Sequence, residues 1–492
     1  MPDGSDDSGD ELPTPLASRP PSALKNTLLS AVSNLSTAYN LVVINIVHVL
    51  LQNQYCGGDA CEARTELAST ASLAGAILGQ LSFGYIGDWL GRSRALQLTM
   101  ALSVCGALAS ALAVPLSADD PSSIFLCLSI TRFVLGLGVG GVYPLSATIA
   151  AESAATASRG RNASLVFSMQ GVANLLVPIV ARGCVALFGE PPLDSLGEDL
   201  GLAWRVALGL GALPGLLMAP FRTSDVQSVR RGLERVELVS PTAAAPPAVE
   251  SFRPPSLLAI LSRRNLWGKL VGTAGGWFIF DITFYGNLLF QPLVLAQVFD
   301  AEGGSTCSGD LKHSLCIQMS ITALIGLPGY YVAVWLMDSM GRRTIQLQGF
   351  LFMALLFAVM GVGHAQLEDK PMLMLALYGM TFFFSNFGPN STTFILPAET
   401  FPSSVRATLN GFCAAMGKLG ATVGSAIFKP LVVHTGLGGT LIACSLVSLC
   451  GMVVTWFFVE DLRGKEMSET DEEAEVVAKR SASIHREGAG SL

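Results

Sequence analysis

Residues 84–94 read G-Y-I-G-D-W-L-G-R-S-R, and residues 334–343 read V-W-L-M-D-S-M-G-R-R. Each stretch closes an apolar run with an aspartate, then a glycine three residues on and an arginine four residues on: Asp88, Gly91 and Arg92, then Asp338, Gly341 and Arg342. The offset between the two sets is 250 residues. A second pair repeats in nearly the same register. Glu152 precedes Arg159 by seven residues and Glu399 precedes Arg406 by seven, at an offset of 247 residues. A chain that duplicates itself across two halves and is apolar throughout folds as two like membrane bundles, with any solute site between them.

At a helix–loop–helix corner, Asp-x-x-Gly-Arg offers a carboxylate to a neighbouring helix end and an arginine to a partner acid. Asp88, Arg92, Glu152, Arg159, Asp338, Arg342, Glu399 and Arg406 are therefore expected to latch the two bundles together on one side in one conformation. Topology-setting charge alone would explain the arginines but not the duplicated spacing.

Working outward, the 492 residues are 51% hydrophobic and only 14% charged, with a mean hydropathy of +0.51. A soluble chain of this length needs a more charged surface. About a dozen apolar runs reach bilayer-spanning length, so the class is an all-α polytopic membrane protein. The spacing predicts twelve transmembrane spans at residues 28–51, 66–87, 93–115, 122–150, 162–189, 201–221, 268–299, 314–337, 344–364, 371–398, 404–434 and 438–459. Residues 1–27 read as a disordered tail, 28–221 as one six-helix bundle, 222–267 as a polar, Pro/Ala-rich linker, 268–459 as a second bundle, and 460–492 as an acidic, mixed-charge tail. The first 25 residues are polar, acidic and proline-rich rather than a cleavable leader, so span 1 is expected to serve as the targeting signal.

Charge sets the expected orientation. Arg92, Arg94, Arg159, Arg161, the linker arginines, Arg342, Arg343 and Arg406 fall on one side. Asp119, Asp120, Glu190, Asp194, Glu198, Asp199, Asp300, Glu302 and Asp310 fall on the other. The positive-inside rule then places both termini and the linker in the cytosol. Cys56 and Cys61 share one outer loop, and Cys307 and Cys316 share another. Two disulfides and four loop thiols are equally open readings. The sequons at Asn34, Asn162 and Asn390 fall in membrane or cytosolic segments, where glycosylation is not expected.

Within span 7, residues 277–285 read W-F-I-F-D-I-T-F-Y. A carboxylate at bilayer depth costs about 2.5–3.5 kcal/mol on insertion scales, so Asp281 is a functional residue by default, with a structural acid paired to a buried base as the bland alternative. Trp277 and Tyr285 flank it at i−4 and i+4, on nearly one helix face. Arg132, in span 4, reads as a structural or relay base facing the bundle. The glycines of 136–141 lie inside a membrane helix and read as close-packing residues, not a nucleotide loop. No catalytic triad, metal cluster or nucleotide motif appears, so neither enzyme, cofactor nor nucleic-acid partner is expected.

These features resemble the major facilitator superfamily, and finer ones resemble its phosphate:proton symporter family. The finer ones are G-G-V-Y-P-L-S-A (140–147), F-S-M-Q-G (167–171), W-F-I-F-D-I-T-F-Y (277–285), F-G-P-N-S-T-T-F-I-L-P-A-E-T-F-P (387–402) and G-K-L-G-A (417–421). The likeness covers about residues 30 to 460. It implies a twelve-helix fold of two pseudo-symmetric six-helix bundles. It implies uptake of inorganic phosphate with protons across the plasma membrane by alternating access. Carried over residue by residue, the phosphate site would comprise Tyr143, Gln170, Trp277, Asp281, Tyr285 and Asn390, with Lys418 in or near the pathway. Neutral donors such as Tyr, Gln, Trp and Asn suit an anion that must be both captured and released. Lys418 would either attract that anion or neutralise an acid such as Asp281.

Two positions depart from the family pattern. Val142 stands where an acid usually precedes the tyrosine of span 4, and Asn40 stands where span 1 usually carries an aspartate. Neither can titrate. Asp281 is left as the principal proton carrier, which implies coupling reduced to one proton per anion, or lost. A wider apolar wall at Val142 admitting an organic phosphate such as a glycerophosphodiester, and a non-transporting phosphate sensor, are the alternative readings.

Overall fold

A computed structural model of the protein describes residues 21–55, 62–117, 120–188, 200–221, 266–300, 311–367, 369–469 and 471. The described residues are mostly helical, with no strand among them. In the first half, α1 (Pro21–Tyr55), α2 (Glu62–Leu90), α3 (Arg92–Ala111), α4 (Ile124–Ser153) and α5 (Arg159–Phe188) are spans 1 to 5. Span 6 is α6 (Leu200–Gly209) continued through a short 3-10 turn into α7 (Leu213–Met218). In the second half, α8 (Trp267–Leu270), a π-helical turn (Val271–Gly275) and α9 (Gly276–Asp300) make span 7. Next come α10 (Leu311–Met340), α11 (Arg342–Val362), the short α12 (His364–Leu367), α13 (Pro371–Asn386), α14 (Pro389–Thr400) and α15 (Arg406–Phe458). Eight helices among the described residues are long and apolar enough to cross a membrane, and α15 holds two spans hinged at Gly436, whose φ is 71°.

Some sequence expectations are corrected. Residues 21–27, read as part of a disordered tail, form the first turns of α1, with a proline at the helix start where its missing N–H costs nothing. Trp267, read as linker, opens α8. Span 10 is not one helix: α13 stops at Asn386 and α14 starts at Pro389, because Gly388 is extended (φ −161°, ψ −129°) and Pro389 cannot continue the ladder. A side chain reaches back across the break: Ser391 Oγ donates to Asn386 O at 2.6 Å. The linker 222–265, Cys56, Cys61 and Cys307, and the Cys316 side chain lie outside the described residues.

Small residues set the helix spacing. A β-carbon at Gly136 would collide with the carbonyl oxygen of Ser72, and one at Gly140 with that of Ala76, so α4 lies directly on α2. Gly420 and Gly424 of α15 meet the carbonyls of Phe278 and Ile282 on α9 in the same way. Each bundle thus closes on one intimate helix pair. Between bundles the seams are α2 with α15 and α5 with α10, which exchange partners under the internal twofold.

The two Asp-x-x-Gly-Arg corners have the same backbone. Gly91 (φ 98°, ψ 143°) and Gly341 (φ 84°, ψ 152°) precede the first residues of α3 and α11 in a region that only glycine occupies freely. Gly91→Ala and Gly341→Ala should each destabilise the protein by about 1–3 kcal/mol. Thermal unfolding of the purified protein in detergent would read this as a lower Tm for both variants, and an unchanged Tm would contradict the corner geometry.

Candidate functional site

The duplicated acids reach across the seam to opposite helix ends. An α-helix leaves its first N–H groups unbonded, and a carboxylate placed there is held by hydrogen bonds and by the helix dipole. Asp88, at the end of α2, accepts from Thr408 N (2.7 Å), Thr408 Oγ1 (2.7 Å) and Ala407 N (3.3 Å) in the first turn of α15. Asp338, at the end of α10, accepts from Gly160 N (2.9 Å) and Arg161 N (3.0 Å) in the first turn of α5. Each carboxylate also holds its own corner arginine, Arg92 at 2.8 Å and Arg342 at 3.2 Å.

The paired glutamates complete the network. Glu152 contacts Arg92 at 3.5 Å and, from the other bundle, Arg406 at 2.9 Å. Glu399 holds Arg342 at 2.8 Å. Arg159 breaks the symmetry: it donates to Thr156 Oγ1 and to the backbone carbonyl of Lys465, past the last span. That segment belongs to the same layer. Asp471 accepts from Ser403 N at 2.7 Å, and Met467 packs on the main apolar core. Residues 460–469 and 471, read from the sequence as a tail, therefore bridge both bundles on the arginine-bearing side. Exposed Asp461 has its carboxyl held below the usual range by the Arg463 guanidinium bonded to it.

The membrane-depth cluster lies between the bundles. Gly417 lets the Trp277 indole lie directly against α15, where a β-carbon would meet its ring. This brings the Trp277–Asp281–Tyr285 face of α9 to Lys418. Lys418 Nζ donates to Tyr285 Oη at 2.6 Å and sits over the rings of Tyr285 (4.6 Å) and Tyr143 (5.8 Å), within the reach expected of cation–π attraction. Its charge also acts on Asp281. Across the seam, Tyr143 Oη donates to Gln170 Oε1 at 3.1 Å, which leaves the amide's donor end for another acceptor. Tyr143, Trp277, Asp281, Asn390 and Lys418 are buried, while Gln170 and Tyr285 stay partly exposed.

Asn390 is engaged on its own side, donating to Tyr330 Oη (2.9 Å) and Asn386 Oδ1 (2.7 Å). Tyr330 and Asn386 carry no sequence motif that marks them. Below the cluster, Phe167 stacks on Phe394 at 4.7 Å, with Tyr143 (6.2 Å to Phe394) and Tyr330 (5.8 Å to Phe167) around them. Phe167 and Phe394 each lie about one turn nearer the arginine side than Gln170 and Asn390. An aromatic layer, then the ionic layer, thus closes the centre from that side. Val142 does not line this space. It is fully buried with Phe83, Leu96 and Leu145 between α2, α3 and α4, so the expected apolar wall at Val142 is absent from the central cluster. Among the described residues no group of His, Cys, Asp and Glu has metal-binding geometry.

Two like helical bundles closed on one side around a buried polar centre define a polytopic carrier fold. The Major Facilitator Superfamily matches residues 31–397, and the chain belongs to that superfamily. It is similar to a probable inorganic phosphate transporter of Arabidopsis thaliana (32% identical; 91% of this chain and 93% of the relative covered). It is also similar to an inorganic phosphate transporter of Oryza sativa subsp. japonica (35%; 89% and 90%) and a low affinity inorganic phosphate transporter of Petunia hybrida (33%; 90% and 90%). Among solved structures, the fold resembles a proton:xylose symporter bound to 6-bromo-6-deoxy-D-glucose (TM-score 0.70, 20% identity, 92% of this chain and 98% of that one). It also resembles a human organic anion transporter (TM-score 0.61, 14%, 89% and 100%).

Asp338→Asn removes the charge from bonds worth about 1.5–3 kcal/mol each. In a protein carrying Asn410→Cys, a position buried in the seam beside Pro144, alkylation from the arginine side should rise about tenfold when Asp338→Asn is added. An equal rate would show that the caps do not hold the seam.

Proposed function

We propose that the protein carries inorganic phosphate across the membrane by alternating access, with the arginine side facing the cytosol of a cell bounded by this plasma membrane. The ionic and aromatic layers form the inner gate, shut in this conformation. The observation that carries the reading is buried Lys418 and Asp281 with partly exposed Tyr285 on the seam, opposite Tyr143 and Gln170, in a chain whose relatives are named inorganic phosphate transporters. A carrier of this kind performs no bond chemistry on its solute.

Charge balance gives the mechanism. With Asp281 ionised, its negative charge offsets that of Lys418, and the centre has no net pull on an anion. Two negative charges in a dry cavity repel strongly, so phosphate binds when Asp281 takes up a proton. Lys418 is then unmatched and draws monovalent phosphate in. Gln170 and Trp277 offer donors to its oxygens. Empty and loaded carriers have the same net charge, so both can reorient at similar cost. One proton moves with one monovalent phosphate, and the pair crosses without opposing the membrane potential, which would otherwise cost about 2.3 kcal/mol per charge at 100 mV. Asn40 and Val142 supply no second proton. The packed position of Val142 gives no support to a site widened for organic esters.

In proteoliposomes, uptake of labelled phosphate should rise when the outer side is made more acidic and stay unchanged when the potential is clamped at different values. Asp281→Asn should lower net uptake at least about tenfold, comparable to removing a general acid–base group, and flatten its pH dependence. A phosphate-evoked inward current, or uptake by Asp281→Asn that still depends on pH at equal concentrations of monovalent phosphate, would overturn the one-proton scheme.

A further inference from the structure

Arg132 plays no part in either layer described above. It lies on α4, eleven residues before Tyr143 and about 16 Å away along the helix. Its side chain is completely buried inside the N-terminal bundle. Nη1 donates to the backbone carbonyl of Asn40 at 3.1 Å, but Nε and Nη2 have no partner. Those two atoms form the edge of the guanidinium that grips an anion with two parallel hydrogen bonds.

The neighbours supply no countercharge. The titratable group acting on Arg132 is Tyr39, and no carboxylate does so among the described residues. The Tyr39 hydroxyl is itself bonded to Ala207 O at 2.9 Å. Asn40 is neutral and turned away. Its amide nitrogen gives its hydrogens to Ser36 O (2.9 Å) and Gly211 O (2.8 Å), and its Oδ1 is left without a donor. Gly211 leaves the room for that amide, since a β-carbon there would strike it. Arginine does not shed its proton in a protein, and a buried charge lacking both countercharge and hydrogen bonds is strongly destabilising.

We propose that a small inorganic anion, a halide or a small oxyanion, is bound against the Nε/Nη2 edge of Arg132 as a resident counter-ion of the N-terminal bundle. Asn40 is what creates the site. A carboxylate in its place cannot donate to Ser36 O and Gly211 O, and would turn to the guanidinium and fill the anion's role. The site is distinct from the central cluster and stands whether or not phosphate is the transported solute.

The test uses the full-length protein in detergent, exchanged into sodium gluconate and titrated with sodium chloride or bromide at constant ionic strength. The wild-type Tm should rise with the logarithm of halide concentration, and bromide should give an anomalous-scattering peak beside Arg132. Asn40→Asp should have the higher Tm in gluconate and lose the halide response. Phosphate is run as a parallel arm: a phosphate response that Asn40→Asp removes would identify the bound anion as phosphate. A wild-type Tm indifferent to halides, with no phosphate response that Asn40→Asp removes, would overturn the proposal. So would an Asn40→Asp variant that keeps the full halide response.

Discussion

The rest of the structure depends on a carboxylate seated on the unbonded N–H groups of a helix from the opposite bundle, made twice. Asp88 caps the start of α15, and Asp338 caps the start of α5. A cap of this kind satisfies groups that a membrane-embedded seam cannot leave bare. It is also breakable, because water can take over the same bonds. The arginine that follows each glycine keeps the carboxylate aimed, and the glycine alone permits the corner that joins them. The seam on the arginine side is therefore polar and directional, while each bundle is held internally by close helix contact.

Those close contacts decide where the polar centre sits. Gly417, Gly420 and Gly424 draw α9 onto α15, so Trp277, Asp281 and Tyr285 share a face with Lys418. On the other side of the seam, α4 and α5 bring Tyr143 to Gln170. A single lysine can then serve three neighbours: a bond to one phenol, attraction to two aromatic rings, and a countercharge for one acid. Under the proposed scheme, that economy of fixed charge makes anion binding conditional on protonation.

The N-terminal bundle follows a different rule. Arg132 retains a full charge at depth while Asn40, beside it, has none to offer. The two halves share their ionic corners but not their buried electrostatics: one half sets its intramembrane cation beside an acid, and the other offers its cation no carboxylate among the described residues. The asymmetry sits inside a backbone whose symmetry is otherwise close, as the matched corners show.

The sequence by itself determined the class, the duplicated corners and the shared face of Trp277, Asp281 and Tyr285 on α9, because these depend on local periodicity, on hydropathy and on spacing within a few turns. What only the tertiary structure decided is which groups meet across the seam. Asp88 finds the start of α15, and Asp338 finds α5, some 180 to 320 residues away. Tyr330 and Asn386 join Asn390 without any motif of their own. Val142 turns out to pack inward although its neighbour Tyr143 faces the centre. Adjacent helix residues point about 100° apart, so a sequence names the pair without saying which of them the facing helix will bury.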